Sequence, residues 1–562
     1  MDQDQERQPL LPPPSTPQDQ PPNHPSSSSP SPANTLLNSP IDTPSKPLTW
    51  PSAYILVISR VIGSGIFATP GSIVRETGSI GLTLLVWLVG TILSACGLAV
   101  SMEFGCMFPR SGGEKVYLEY TYPNPRFLAS SLVAAQAVLL GFTASNCIVF
   151  ARYVLFAFSV QPGENQHKAL AVGLLTVITI VHGCFLKTGI FIQNVLGWVK
   201  IFLIGVMSLT GIWVVFFRGP TSPIGIGIGI LNGAFGDNHT DISSTSMLKA
   251  DADAFSWDTI WKDSNWSLGL LSTALFKVYY SYAGLNNVNN VLNEVRDPIG
   301  IVKTVCPSAL LTAGVLYFLA NLSYFLVIPL EEIKESGELV GALLFERLFG
   351  DQIGRVFFPL AIAVSAAGNV MVVTFALARL NQEISRQGFL PFQSLLSTSK
   401  PFNSPLGGLI VHYIPSALVI ALPPQGDVYN FILDLEGYPG QMFALAVTVG
   451  LLILRYREPE PYLARPFKAW LPAVWLRVGV CLGLLVTPFI PPRGWNWRGE
   501  GGGLRFFYAT YAVVGIAIVL SGVLYWYVWT VLLPRWGGYR LEEEKEILDD
   551  GTSIVKLVRV YK

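Results

Sequence analysis

Charge is scarce in this chain. Only 13% of its 562 residues are Asp, Glu, Lys or Arg, about half the share of an average soluble protein. A soluble exterior of that size needs far more, which excludes an ordinary cytoplasmic enzyme. The 37 basic and 37 acidic residues cancel, so the positive footprint of a nucleic-acid binder is missing. The five histidines (His24, His167, His182, His239, His412) are scattered. None sits at metal-ligand spacing or beside a nucleophile, and no Walker or dinucleotide fingerprint is present. The six cysteines, Cys96, Cys106, Cys147, Cys184, Cys306 and Cys481, fall singly and mostly inside apolar runs. Neither a disulfide framework nor a zinc site is expected from them. No metal, cofactor or catalytic constellation is called for, and an enzyme is not expected.

Apolar residues are plentiful instead, at 51% of the chain. A spanning helix needs about 20 mostly apolar residues. Such runs lie near 51–76, 80–107, 127–158, 168–186, 189–217, 267–292, 304–328, 353–386, 406–423, 427–454, 470–489 and 505–532. They are too long and continuous for a membrane barrel. The expectation is an all-α integral membrane protein of about twelve helices in a lipid bilayer. Residues 1–47 are a Pro/Ser/Gln/Asn/Asp mixture that cannot bury enough apolar surface to offset its ordering entropy. They are expected to be a disordered tail, with no early apolar core of a signal peptide. Residues 48–533 form the helical domain and 534–562 a second tail.

Loop charges orient the chain. With the N-terminal tail cytoplasmic, inside loops carry Arg110, Lys115, Arg126, Lys187, Arg296, Lys303, Arg386, Lys400, Arg455, Arg457, Arg465 and Lys468. The long loop 218–266 then lies outside and is acidic, with Asp237, Asp241, Asp251, Asp253, Asp258 and Asp263. Both tails are therefore expected in the cytoplasm. Two sequons, Asn238-His239-Thr240 and Asn265-Trp266-Ser267, fall in that same loop, as an outside position requires.

Two spans are interrupted. The first reads Arg60-Val61-Ile62-Gly63-Ser64-Gly65-Ile66-Phe67-Ala68-Thr69-Pro70-Gly71. Glycine and proline this dense at mid-membrane leave backbone groups unpaired, which is tolerated only where that backbone is buried or lines a cavity. The sixth reads Tyr279-Tyr280-Ser281-Tyr282-Ala283-Gly284-Leu285-Asn286-Asn287-Val288-Asn289-Asn290, and its asparagines suit neither helix nor lipid. An interrupted helix offers amides to a carboxylate and carbonyls to an ammonium. Breaks in corresponding spans of two five-helix halves point to a transport site with inverted repeats. Close packing of small residues is the alternative for each break alone.

Gly63-Ser64-Gly65-Ile66-Phe67-Ala68-Thr69-Pro70 resembles the first-helix motif of the amino acid–polyamine–organocation superfamily. Glu103-Phe104-Gly105, Pro109-Arg110-Ser111-Gly112-Gly113-Glu114-Lys115, Asn293-Glu294-Val295-Arg296-Asp297-Pro298, and Leu454-Arg455-Tyr456-Arg457-Glu458-Pro459 with Arg465-Pro466-Phe467-Lys468 resemble its later motifs in order. The match covers roughly residues 50–532. The long N-terminal tail and the Gly-Gly-Glu-Lys form favour the fungal high-affinity methionine permeases, beside the L-type amino acid transporters. The resemblance implies the leucine-transporter-type fold, with a 5+5 inverted repeat and the substrate between helices one and six. Carried over by motif, the substrate carboxylate meets amides at Ser64 and Gly65 next to Gly63. Its amine meets carbonyls at Val61, Tyr280 and Ala283 next to Gly284, and Tyr280 stands at the gate.

Two departures from the family stand out. Leu285 occupies the region where the family often has Trp, which leaves room for a different side chain. The loop 160–167 lacks the cysteine through which animal L-type transporters attach a partner subunit, so no covalent heavy-chain partner is expected. Lys200 lies mid-helix in span five, where related permeases place a lysine in the region of a sodium site. It is expected to bond carbonyls near the helix-one break and to serve in coupling or structure. Lys277 is expected to reach acidic or carbonyl groups in the bundle, and Glu103 to pair with Arg60 or Arg379. The implied function is import of methionine or other neutral amino acids with protons across the plasma membrane. Obligatory exchange, and nutrient sensing with little flux, stay open.

Overall fold

The computed structural model describes residues 49–160, 164–217, 257–292, 295–400, 402, 404–422, 428–457, 464–490, 509–547 and 553–561. The 1–47 tail, most of the acidic loop with its first sequon, and residues 161–163 of loop 160–167 lie outside the described residues. Among the described residues, ten helices are long and apolar enough to cross a membrane. The two remaining predicted positions hold a shorter apolar helix, Leu406–Ala421, and an interrupted one that begins at Leu268. This is compatible with twelve crossings. Large apolar side chains such as Leu88, Ile92, Phe191, Phe202, Leu311 and Leu520 stand exposed on the bundle exterior, where the solvent is lipid.

The first span is two helices, α1 (Trp50–Val61) and α2 (Gly65–Thr77). Pro51 stands in the first turn of α1, where a missing N–H loses no bond. Gly78, at φ +83°, closes α2 by donating to the Val74 carbonyl. Pro70, inside α2, cannot donate to the Ile66 carbonyl four residues back. That carbonyl accepts instead from the Tyr324 hydroxyl at 3.0 Å. Tyr153 donates to the Phe67 carbonyl at 2.8 Å. The Tyr317 hydroxyl stands between two carbonyls, 2.8 Å from that of Val61 and 3.0 Å from that of Ser281, which share its one hydrogen. Buried tyrosines from neighbouring spans thus satisfy backbone at both breaks, as an apolar environment demands.

The bundle continues with α3 (Ile80–Met107), the short α4 (Glu114–Thr121), α5 (Leu128–Leu139), α6 (Ala144–Ala157), α7 (Glu164–Cys184) and α8 (Leu186–Phe217). The third span is bent between α5 and α6. Further along the chain come α9 (Leu268–Ser281), α10 (Pro298–Val327), α11 (Phe358–Arg386), α12 (Leu406–Ala421), α13 (Val428–Arg457), α14 (Leu471–Val486) and α15 (Thr510–Tyr527). Asp297 caps α10, accepting from the Gly300 amide at 3.1 Å, with Pro298 in the first turn.

Glu103, fully buried on α3, corrects an expectation. Its partners are not Arg60 or Arg379 but Arg455 of α13 (Nε to Oε1 3.0 Å) and Arg465 (3.2 Å), with the Ala469 amide donating at 2.8 Å. The carboxylate therefore joins α3 to α13 and to the chain leading into α14. The segment expected as a C-terminal tail carries structure as well. Strands β1 (Tyr539–Ile547) and β2 (Ser553–Tyr561) pair antiparallel, Tyr539 opposite Tyr561. Leu557 packs with Ala134, Ala137, Ile384 and Phe389, and its amide donates to Gln387 at 3.0 Å.

Candidate functional site

The break between α1 and α2 leaves Ile62–Ser64 outside both helices, and the first amides of α2, at Gly65 and Ile66, have no carbonyl of their own helix to meet. Ser64 is buried. Opposite it, α9 ends at Ser281, and the chain runs through Gly284, at φ +105°, into a short 3-10 turn, Asn287–Asn290. The Ala283 amide donates to the Tyr280 carbonyl at 3.1 Å. The structure thus brings Val61, Gly63, Ser64, Gly65, Tyr280, Ala283 and Gly284 to two facing breaks.

Both glycines of the first break are held by close approach. A Cβ on Gly65 would lie 2.6 Å from Ser281 Oγ and 2.9 Å from Ser281 Cα. One on Gly63 would lie 2.6 Å from Asn369 Nδ2. Close packing and backbone exposure are therefore not rival accounts of this motif; the same small residues do both. The asparagines after Gly284 dock the second break. Asn289 Nδ2 donates to the Ser101 carbonyl of α3 at 3.2 Å, and Asn286 Nδ2 to Glu114 at 3.4 Å.

Between the breaks lies a polar network that sequence reasoning missed. Ser64 Oγ donates to Asn146 Oδ1 at 2.7 Å, and Asn146 Nδ2 donates to the Tyr280 hydroxyl at 3.1 Å. Ser145 Oγ lies 3.0 Å and Ser64 Oγ 3.3 Å from that same hydroxyl. Asn369 Nδ2 donates to Asn146 Oδ1 at 3.1 Å. Lys200, fully buried on α8, reaches Asn369 Oδ1 at 3.5 Å and the Ser59 carbonyl of α1 at 3.4 Å. A continuous hydrogen-bonded path thus runs from Tyr280 through Ser64, Asn146 and Asn369 to Lys200. Asn146 is the one amide side chain of α6, and Asn369 stands in the apolar stretch of α11 well before Asn381 and Gln382. That rarity in lipid-facing sequence was the only available signal.

Such a site has a definite chemistry. It offers backbone dipoles and neutral hydroxyls and amides, with the Lys200 ammonium at its margin and the Arg60 guanidinium and Glu436 carboxylate within electrostatic reach of Tyr280. It can hold a zwitterion's charged ends without a dedicated ion pair. The whole-chain comparison agrees in kind. Residues 48–519 match the amino acid permease family. The chain belongs to the amino acid permease family. The low-affinity methionine permease of Saccharomyces cerevisiae is 31% identical over 510 residues, covering 90% of this chain and 87% of that one. The high-affinity methionine permease of the same yeast is 31% identical over 523 residues, covering 93% and 85%. The human b(0,+)-type amino acid transporter 1 is 24% identical over 486 residues, covering 85% and 86%.

This permease carries a second charged cluster, also on helices one and six. Lys277 of α9, fully buried, pairs with Glu76 of α2 and lies 3.6 Å from Asp434 of α13. Removing Lys277 leaves two neighbouring carboxylates without their cation, in a place where stranded charge is expensive. Among the described residues, Arg152 lies 4.0 Å from Glu338.

Proposed function

We propose that this permease imports neutral L-amino acids, methionine foremost, in symport with protons, through the plasma membrane and with both termini in the cytoplasm. The observation that carries the reading is the hydrogen-bonded path joining Tyr280 and Ser64 at the two breaks to Lys200 behind them. The substrate carboxylate sits on the Ser64 and Gly65 amides. Its ammonium sits on the Val61, Tyr280 and Ala283 carbonyls, with Gly63 and Gly284 admitting the close approach. Tyr280 closes over the ligand. Occupancy then alters the contacts of Tyr280 and Ser64, and through Asn146 and Asn369 the hydrogen bonding of Lys200. The Lys200 ammonium occupies the position of a cation, so the coupling ion is a proton. Alternating access follows when helices one and six rearrange around the bound ligand. Without a cysteine between the third and fourth spans, the permease works with no covalently attached heavy chain.

The test is uptake of radiolabelled L-methionine by proteoliposomes, with and without an imposed pH gradient. Accumulation driven by the gradient supports symport. Uptake only into vesicles preloaded with amino acid would replace symport by exchange. Saturable binding without flux would make the protein a sensor.

A further inference from the structure

A cavity of about 160 Å³ lies beside the helix-six break, walled by α3 (Ser94), the end of α9 (Tyr279), the break itself (Ala283), α13 (Thr448), α14 (Arg477) and α4 (Glu114). It shares Ala283 and Gly284 with the candidate transport site, but two neighbouring tyrosines serve the two places differently. Tyr280 sends its hydroxyl to Ser64 and Asn146, whereas Tyr279 lines the cavity. The volume is that of about five waters in the liquid, enough for a small organic solute.

Its polar groups are unfinished. Arg477 is only 8% exposed, its guanidinium lies 4.9 Å from the centre of the Tyr279 ring, and its Nη1 is buried with no hydrogen-bond partner. Gly97 makes room for it, since a Cβ there would lie 3.3 Å from Nε. Ser94, also 8% exposed, has a buried Oγ without a partner. Among the described residues Arg477 forms no ion pair. Glu114 feels its charge from a distance and accepts one hydrogen bond, from Asn286. Buried donors left open are costly unless a ligand completes them, and an ionisable side chain inside a membrane bundle marks a site by default. An open guanidinium and a carboxylate in one small cavity, kept apart from each other, complement a zwitterion.

We propose that this cavity binds a second neutral amino acid, its carboxylate on Arg477 and Ser94 and its ammonium on Glu114. The inference rests on the reading that the permease handles neutral amino acids. Ala283 to Asn286 form a wall of the cavity and are also part of the helix-six break. Occupancy therefore changes affinity at the transport site, and reciprocally.

Equilibrium binding of radiolabelled L-methionine to the purified full chain tests this. Wild type is expected to bind two per chain, and Arg477→Met and Glu114→Gln one, with the lost site weakened at least tenfold. One methionine per chain in wild type, unchanged by Arg477→Met, overturns the proposal. Should Arg477→Met fail to run as a monodisperse species, Ser94→Leu fills the cavity and leaves the charges in place. Loss of one bound methionine in that variant supports the proposal, and two bound overturns it. Propionate, which lacks the ammonium, is expected to displace the second methionine at least tenfold less well than alanine does. Equal displacement marks a simple anion site and overturns the zwitterion assignment. Gly65→Val reports separately on the transport site: if it binds as wild type does, the transport-site reading fails while the Arg477 comparison still stands.

Discussion

Gly65 is a position at which transport is expected to be sensitive to a single methyl group. A Cβ placed there meets Ser281 Oγ at 2.6 Å, Ser281 Cβ at 3.0 Å and Ser281 Cα at 2.9 Å. The hydroxyl can rotate away, but the Cα is backbone. Restoring that separation to about 3.5 Å, the near edge of favourable carbon–carbon distance, requires α2 and α9 to part by about 0.6 Å. Overpacking of this kind costs about 1–3 kcal/mol, which at 1.4 kcal/mol per decade is about five- to 150-fold in an equilibrium. A branched Val adds two further methyl groups in the same place. Expected outcome: Gly65→Ala lowers methionine uptake by about tenfold or more and Gly65→Val abolishes it, at unchanged membrane abundance. Ser281→Gly in the Gly65→Ala background removes the Oγ and Cβ atoms but leaves the crowded backbone in place, so rescue is partial. The assay is initial-rate uptake normalised to surface protein, with thermal melting of each variant as the folding control. Wild-type uptake by Gly65→Val would refute both the close approach and the carboxylate assignment.

Lys200→Gln should leave counterflow exchange of methionine measurable while removing accumulation driven by a pH gradient; full gradient-driven uptake by that variant would end the proton role. Asn146→Ala removes partners of Ser64, Tyr280 and Asn369 together. It is expected to reduce methionine affinity at least tenfold, read as a rise in the half-saturating concentration. Glu103→Ala strands Arg455 and Arg465 and should cost about 3–5 kcal/mol, seen as a drop in thermal midpoint and in surface abundance. Tyr324→Phe leaves the Ile66 carbonyl unsatisfied at about 1–3 kcal/mol. Replacing Pro70 by Ala in the same chain returns a helical donor to that carbonyl. The double variant should therefore melt above Tyr324→Phe alone.

The sequence by itself determined where the backbone must break. Glycine, proline and asparagine act through local dihedral freedom and missing or competing hydrogen bonds, so the motifs around Gly63–Pro70 and Gly284–Asn290 are readable without knowing their neighbours. It also determined the membrane class and the approximate spans, because apolar length is a one-dimensional property. Tertiary structure alone decided the partners. Lys277 and Glu76 are 201 residues apart, and Glu103 and Arg455 are 352 apart. Nothing local distinguishes Arg455 from Arg60 or Arg379 as the counter-ion of Glu103. Asn146 and Asn369 become site residues only because α6 and α11 pack side by side across the helix-one break. Arg477 and Glu114 come to share a cavity because α14 and α4 both border the helix-six segment. In a bundle with so few charges, packing brings each one to its partner or leaves it open, and spacing along the chain carries no record of that choice.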